Sequence, residues 1–260
     1  MTTTTTAAED VREATVRYLL RLADDALVLG QRLGAQLTRA PQLEEDVALS
    51  NIALDLLGQA RPLLSRAAEL EGAGRDEDAL AFGRDERDFL NCQLVEQPDG
   101  DFAETIVRQL FFSLFQFRLY EGLTGSSDEV IAGVAAKGVK EIAYHRDHAV
   151  QWTLRLGDGT PESHRRAQAA LQRLWPFTGE LFEVDDTVRT LVSAGVAVDP
   201  AALRAGWDAE LDAVLAEATL ERPTSARVAT GGRRGVHTET FGFLLAEMQH
   251  LWRSHPGATW

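Results

Sequence analysis

Apolar residues recur every three or four positions through most of this chain, a spacing that predicts helices almost throughout. From about Glu9 to Leu37 one face carries Val16, Leu19, Leu20, Ala23, Leu27, Gly30, Leu33 and Leu37. From about Glu44 to Leu70 another carries Leu49, Ile52, Ala53, Leu56, Ala60, Leu63, Leu64 and Ala67. Pro62 lies inside this second segment and should kink or split it, because proline removes a backbone donor and crowds the preceding turn. Residues 71–100 form a long connection with short helical pieces, EDALAF and DERDFLN, and a turn at Pro98-Asp99-Gly100. A third long helix follows from about Asp101 to Gly122, and a fourth from about Asp128 to Leu156.

Two long helices, one long crossover and two more long helices is the connectivity of a ferritin-like bundle. The expected fold is therefore all-α, a ferritin-like four-helix bundle with additional C-terminal helices. The bundle spans about residues 9–156 and the C-terminal extension about 160–254, in a single domain from residue 8 to 260. In the extension, Thr160-Pro161 and Asp199-Pro200 read as a cap followed by proline at the first helical position. Those helices run to about Trp175 and Leu220, with a shorter one over Asp185 to Ala194 and a last one over Thr238 to Arg253. Residues 1–7 are a threonine-rich stretch with little to bury, and read as a disordered tail.

The fourth helix contains the chemistry. Its inward stripe is Ile131, Ala135, Gly138, Ile142, His145, Ala149, Trp152 and Leu156, with Glu141 at the edge. A Glu and a His on an inward bundle face suggest a carboxylate-bridged di-iron site. Such a site takes one Glu from each of two helices and Glu-x-x-His from each of the other two. Here the register is broken: Ile142 stands three residues before His145, and Tyr144 three after Glu141. The second helix has no histidine, and its nearest candidate is Asp55. The third has no carboxylate between Arg108 and Arg118. The first offers Asp24 and Asp25. Half the ligands are missing or out of register, and Phe and Leu do not hold iron. The ligand count favours a vestigial site in which Asp24, Asp55, Glu141 and His145 form a hydrogen-bonded cluster, helped by Lys140 and Arg61. The alternative is a metal-dependent oxidoreductase with a residual site at Glu141, His145 and His148, the two histidines one turn apart.

Two further stretches stand out. Leu110–Phe117 is apolar all round, so Phe111, Phe112 and Phe115 must be covered either by the C-terminal helices or by a partner protein. The loop Gly231–Gly235 reads as a flexible connector, with an anion contact from Arg233 and Arg234 as the other reading.

Composition narrows the class. A net charge of −14 argues against nucleic acid as the main partner. Cys92 is the sole cysteine, which excludes an intrachain disulfide and suits a reducing cytosol. The N-terminus shows neither the basic nor the apolar region of a signal peptide. The most apolar run falls far short of the ~20 residues of a membrane span, so no membrane is expected as a partner. Nucleophile-elbow, dinucleotide and P-loop patterns are absent from the sequence.

Six strings spread over the length carry a resemblance. They are LVLGQRLG (Leu27–Gly34), NIALDLLGQAR (Asn51–Arg61), LVEQPDGDFA (Leu94–Ala103), KEIAYH (Lys140–His145), ATGGRRGVHTE (Ala229–Glu239) and LAEMQ (Leu245–Gln249). In these the chain resembles the C-type subunits of bacterial phenylacetyl-CoA epoxidase, also called phenylacetate-CoA oxygenase. The resemblance implies a ferritin-like, non-catalytic subunit of a multicomponent monooxygenase in aerobic phenylacetate catabolism. It implies pairing with a homologous A-type subunit, the catalytic one, which carries the di-iron centre and binds phenylacetyl-CoA. Further small subunits complete the complex, with a reductase that uses FAD, an iron–sulfur cluster and NADPH. No catalytic residue and no cofactor is then expected on this chain.

Overall fold

The computed structural model describes the backbone of residues 2–258 and the side chains of residues 8–258. Four long helices form the bundle: α1 (Thr2–Ala35), α2 (Leu43–Glu71), α4 (Phe102–Leu123) and α5 (Glu129–Gly157). A short α3 (Glu77–Phe82) lies in the crossover. The extension adds α6 (Pro161–Leu174), α7 (Asp186–Ser193), α8 (Pro200–Glu217) and α9 (Glu239–Ser254). The described residues contain no strand. α1 packs along α2, α4 along α5, and α2 against α5, so two helical hairpins close one core, as the ferritin-like pattern requires. The backbone of residues 2–7 continues α1, where the sequence suggested a tail. Met1 and the side chains of residues 2–7 lie outside the described residues.

Local chemistry explains most helix starts. Asp101 accepts from Glu104 N at the head of α4, and Asp128 from Val130 N and Ile131 N at the head of α5. Thr160, Asp185 and Asp199 cap α6, α7 and α8 in the same way. Each satisfies backbone N–H groups that have no partner within the helix.

Four expectations need correction. Pro62 does not split α2, which runs through it as one helix. Leu56, Ala60, Leu63 and Leu64 are buried on both sides of the proline, and that packing outweighs one lost hydrogen bond. Of DERDFLN, only Glu86–Asp88 is helical, as a single 3-10 turn. Beyond it, residues 89–96 run buried beneath the other segments without helix.

The third correction concerns Phe111, Phe112 and Phe115. All three are buried inside the chain. Trp175 and Trp207 flank the Phe111 ring, Phe182 meets Phe115 edge-on, and the Trp207 indole N–H donates to the Phe111 carbonyl at 3.0 Å. α6 and α8 thus complete the cover of a helix that is apolar all round. These rings are core, not an interface.

The Gly231–Gly235 loop is also no flexible connector. It lies flat on the crossover backbone. Gly235 has φ +73°, and a Cβ there would stand 2.1 Å from the Arg87 carbonyl oxygen. Gly235→Ala is expected to lose roughly 1–3 kcal/mol from the left-handed backbone alone, with the clash adding to it. Urea denaturation measures this; a loss under about 1 kcal/mol would show that the loop lifts off freely.

Candidate functional site

The histidines of α5 face α2. Glu141, His145 and His148 fall at i, i+4 and i+7 on α5, and Glu45, Asp55 and Gln59 share the facing side of α2. The partners run in reverse order along the two antiparallel helices. His145 Nε2 donates to Asp55 Oδ2 at 3.0 Å, and His148 Nε2 to Glu45 Oε2 at 2.7 Å. Gln59 Nε2 donates to Glu141 Oε2 at 3.1 Å, and Gln116 of α4 donates to Gln59 Oε1 at the same distance. Lys137 closes the row against Glu141 at 3.3 Å. Burial pushes the His145 pKa below its ordinary value, more than the Asp55 carboxylate raises it. A neutral ring therefore donates to a carboxylate.

This donor set does not fit a di-iron centre. α4 presents Gln109, Phe112, Ser113 and Gln116 where a carboxylate would be needed. Glu141, His145 and His148 each engage their own partner and do not converge. Among the described residues no three His, Cys, Asp or Glu side chains gather as a metal-binding group. Arg61 pairs with Glu77, away from this seam. Asp24 also lies elsewhere: its partners are Arg84 and the crossover, so it does not belong with Asp55, Glu141 and His145.

The second polar cluster holds the crossover. Asp24 Oδ2 accepts from Leu90 N at 2.8 Å and from Arg84 at 3.0 Å, both side chains buried. Asp25 Oδ1 accepts from Cys92 N, and its Oδ2 from Arg233, each at 2.7 Å. Glu180 accepts from the backbone N–H of Gln93, Gly231 and Arg233. Glu96, fully buried, accepts from His237 Nδ1 at 2.7 Å, Asn91 Nδ2 at 2.9 Å and Thr238 N at 2.6 Å. A non-helical segment buried in a helical protein has backbone groups without helical partners, and these carboxylates supply them. Burial raises the pKa of Asp25 and of Glu180, while Arg233 acts against it in both. Arg233 is thus consumed internally and is no anion contact. Arg234 is exposed and faces Glu183 at 3.5 Å.

The profile of the family described as phenylacetic acid catabolic protein matches residues 1–260. The chain belongs to that family. It is 52% identical over 243 residues to the C-type subunit of 1,2-phenylacetyl-CoA epoxidase from Escherichia coli (strain K12), covering 94% of this chain and 98% of the relative.

In this member of the phenylacetic acid catabolic protein family, sequence reasoning placed Asp55, Glu141 and His145 in one polar cluster and missed Gln59 and Glu45 as the partners of Glu141 and His148. Glu45 reads as an acidic residue in the first turn of α2, where it favours the helix dipole. Nothing local shows that it reaches His148. Arg84, Glu96 and Glu180 were also missed. The available signal was a charge inside an apolar run, as in FLNCQLVE, which a buried ion must explain.

Proposed function

We propose that this chain is the structural, non-catalytic subunit of a multicomponent di-iron monooxygenase that epoxidises the ring of phenylacetyl-CoA in phenylacetate catabolism. It pairs with a homologous catalytic subunit, which it stabilises. The di-iron centre belongs to that partner, and FAD, the iron–sulfur cluster and NADPH to the reductase. One observation carries the reading: where a ferritin-like oxygenase needs converging carboxylates, α2 and α5 spend theirs on separate His–carboxylate and Gln–Glu hydrogen bonds, and α4 offers only Gln116 to Gln59. The similarity to an epoxidase's C-type subunit supplies the substrate.

The test is to express this chain alone and together with the catalytic subunit in iron-rich medium. The expected result is iron near zero per chain alone, and phenylacetyl-CoA epoxidation, with the reductase, only in the complex. Stoichiometric iron on the isolated chain, lost in His145→Ala, would overturn it.

Pairing needs apolar surface, and the phenylalanines of α4 do not provide it. α2 does. Leu43, Val47, Leu54 and Leu57 are exposed, at 73%, 53%, 64% and 40%. Their spacing of four, seven and three residues puts them in one stripe opposite the core face. A solvent-facing stripe of this kind marks a protein contact. Leu54→Glu is expected to leave the melting temperature of the isolated chain unchanged and to weaken co-purification with the catalytic partner at least tenfold, about 1.4 kcal/mol. Unchanged co-purification would move the contact to another face.

A further inference from the structure

The outer face of α2 carries a sharper pattern than amphipathicity requires. Leu43, Val47, Ser50, Leu54, Leu57 and Arg61 follow one another at intervals of four, three, four, three and four residues. That is the 3.5-residue repeat of a helix packed along another helix, and a strand or a loop seated there would not need it. None of the six belongs to the core face of α2: Ser50 is half-buried and the others are exposed. Ser50 is the small residue of this seam, and its hydroxyl donates back to the Asp46 carbonyl at 2.6 Å, so its donor is already spent. Arg61 turns its guanidinium to Glu77 at 3.2 Å.

We propose that the element of the catalytic subunit seated on this seam is that subunit's own counterpart of α2, running antiparallel, so that the two homologous chains meet about a local pseudo-twofold axis level with Ile52. The inference rests on the pairing proposed above and names its geometry. The seam is self-complementary when reversed. Laid antiparallel on a copy of itself about Ile52, it sets Val47 against Leu57, Ser50 against Leu54 and Leu43 against Arg61, each on both sides of the axis. A small residue then meets a large one beside the axis, which lets the helices pack closely, and the Arg61 stem covers Leu43 at each end. A parallel pair in register would instead set Ser50 on Ser50, leaving a gap, and Arg61 on Arg61, opposing like charges. Two chains of one fold each offer the same helix, which is what an isologous contact uses.

Charge and area decide for the homologous subunit over a second copy of this chain. Each copy carries a net charge of −14. The antiparallel register brings no opposite charges together across the seam, because Arg61 meets Leu43 and is committed to Glu77 of its own chain. Two copies would therefore repel with nothing at the contact to offset it. Four exposed apolar side chains also fall short of the roughly 800 Å² per partner that a standard stable interface buries. A homologous subunit, whose surface need not repeat this charge, escapes the repulsion and adds contacts beyond the seam.

The test is disulfide mapping in the assembled complex. Cys92 is the sole cysteine, it is buried, and burial pushes its thiol pKa well up, so Ser50→Cys or Leu57→Cys supplies the reactive thiol of this chain. Each variant is co-expressed with the catalytic subunit bearing single cysteines at successive positions along its counterpart of α2, and the complex is oxidised. Ser50→Cys is expected to bond near the middle of that helix, and Leu57→Cys about seven residues nearer its N-terminus. A shift toward the C-terminus would overturn the antiparallel contact. A complex that forms without a disulfide at either position would overturn the inference and leave the pairing of the two subunits standing. A disulfide between two copies of this chain would overturn it in favour of self-association. Failure of the wild-type chains to form a complex would sink the pairing first, and this inference with it.

Discussion

Asp24→Ala is expected to remove roughly 3–5 kcal/mol of stability, the usual cost of breaking a buried ion pair from one side. The carboxylate is fully buried and its partner Arg84 nearly so. Its loss strands the guanidinium, which also lies 4.1 Å over the Phe89 ring, and leaves the Leu90 N–H without its acceptor. Equilibrium denaturation of the purified chain gives the number. A loss below about 1 kcal/mol would mean that water reaches Arg84 and that the crossover is not tied down by this pair. Asp24→Leu combined with Arg84→Met should be less harmful than either change alone, because no buried charge is then left unpaired. The same measurement separates structural from metal roles: iron or chelator should not shift the wild-type midpoint.

The long helices were legible because their burial has a period. Leu19, Ala23, Leu27 and Leu33 are all buried, as their spacing demanded, and the Asp199-Pro200 and Thr160-Pro161 starts need only information from the next three residues. The polar interior was not legible in that way. Asp24 meets Arg84 from 60 residues away, and Asp25 meets Arg233 from 208 away. No local pattern encodes such a pairing. Asp24 and Asp25 had the right residue type for iron, so the sequence grouped Asp24 with Asp55, Glu141 and His145. Three-dimensional placement separates them: Asp24 and Asp25 hold the crossover, while Asp55 and Glu141 hold α5. Gly232 shows the same limit. A Cβ on it would stand 2.2 Å from the Asn91 carbonyl oxygen, so the glycine serves a close approach that reads in sequence as loop flexibility.

His237→Ala should be comparably severe, roughly 3 kcal/mol or more, and it carries a pH signature. The ring donates from Nδ1 to Glu96 and from Nε2 to the Phe89 carbonyl at 3.0 Å. Both ring nitrogens face acceptors, which only the imidazolium satisfies. Burial lowers the His237 pKa, but Glu96, the Phe89 carbonyl and the nearby Glu86 raise it by more, so it sits above its ordinary value. The sign of the linkage follows. A histidine with a raised folded pKa contributes its full stability below the unfolded pKa of about 6.5, and loses it as pH rises through the folded value. His237→Gln, which keeps a donor to Glu96 but cannot be charged, should therefore be most destabilising relative to wild type below about pH 6.5. The gap should narrow as pH rises. His145 works in the opposite direction, since its lowered pKa costs stability as pH falls below about 6.5. The difference between wild type and His237→Gln cancels that contribution, because both chains retain His145. A gap that stayed flat from pH 5.5 to 8.5, or that widened toward high pH, would show that the ring is neutral in the folded chain and donates from only one of its two nitrogens.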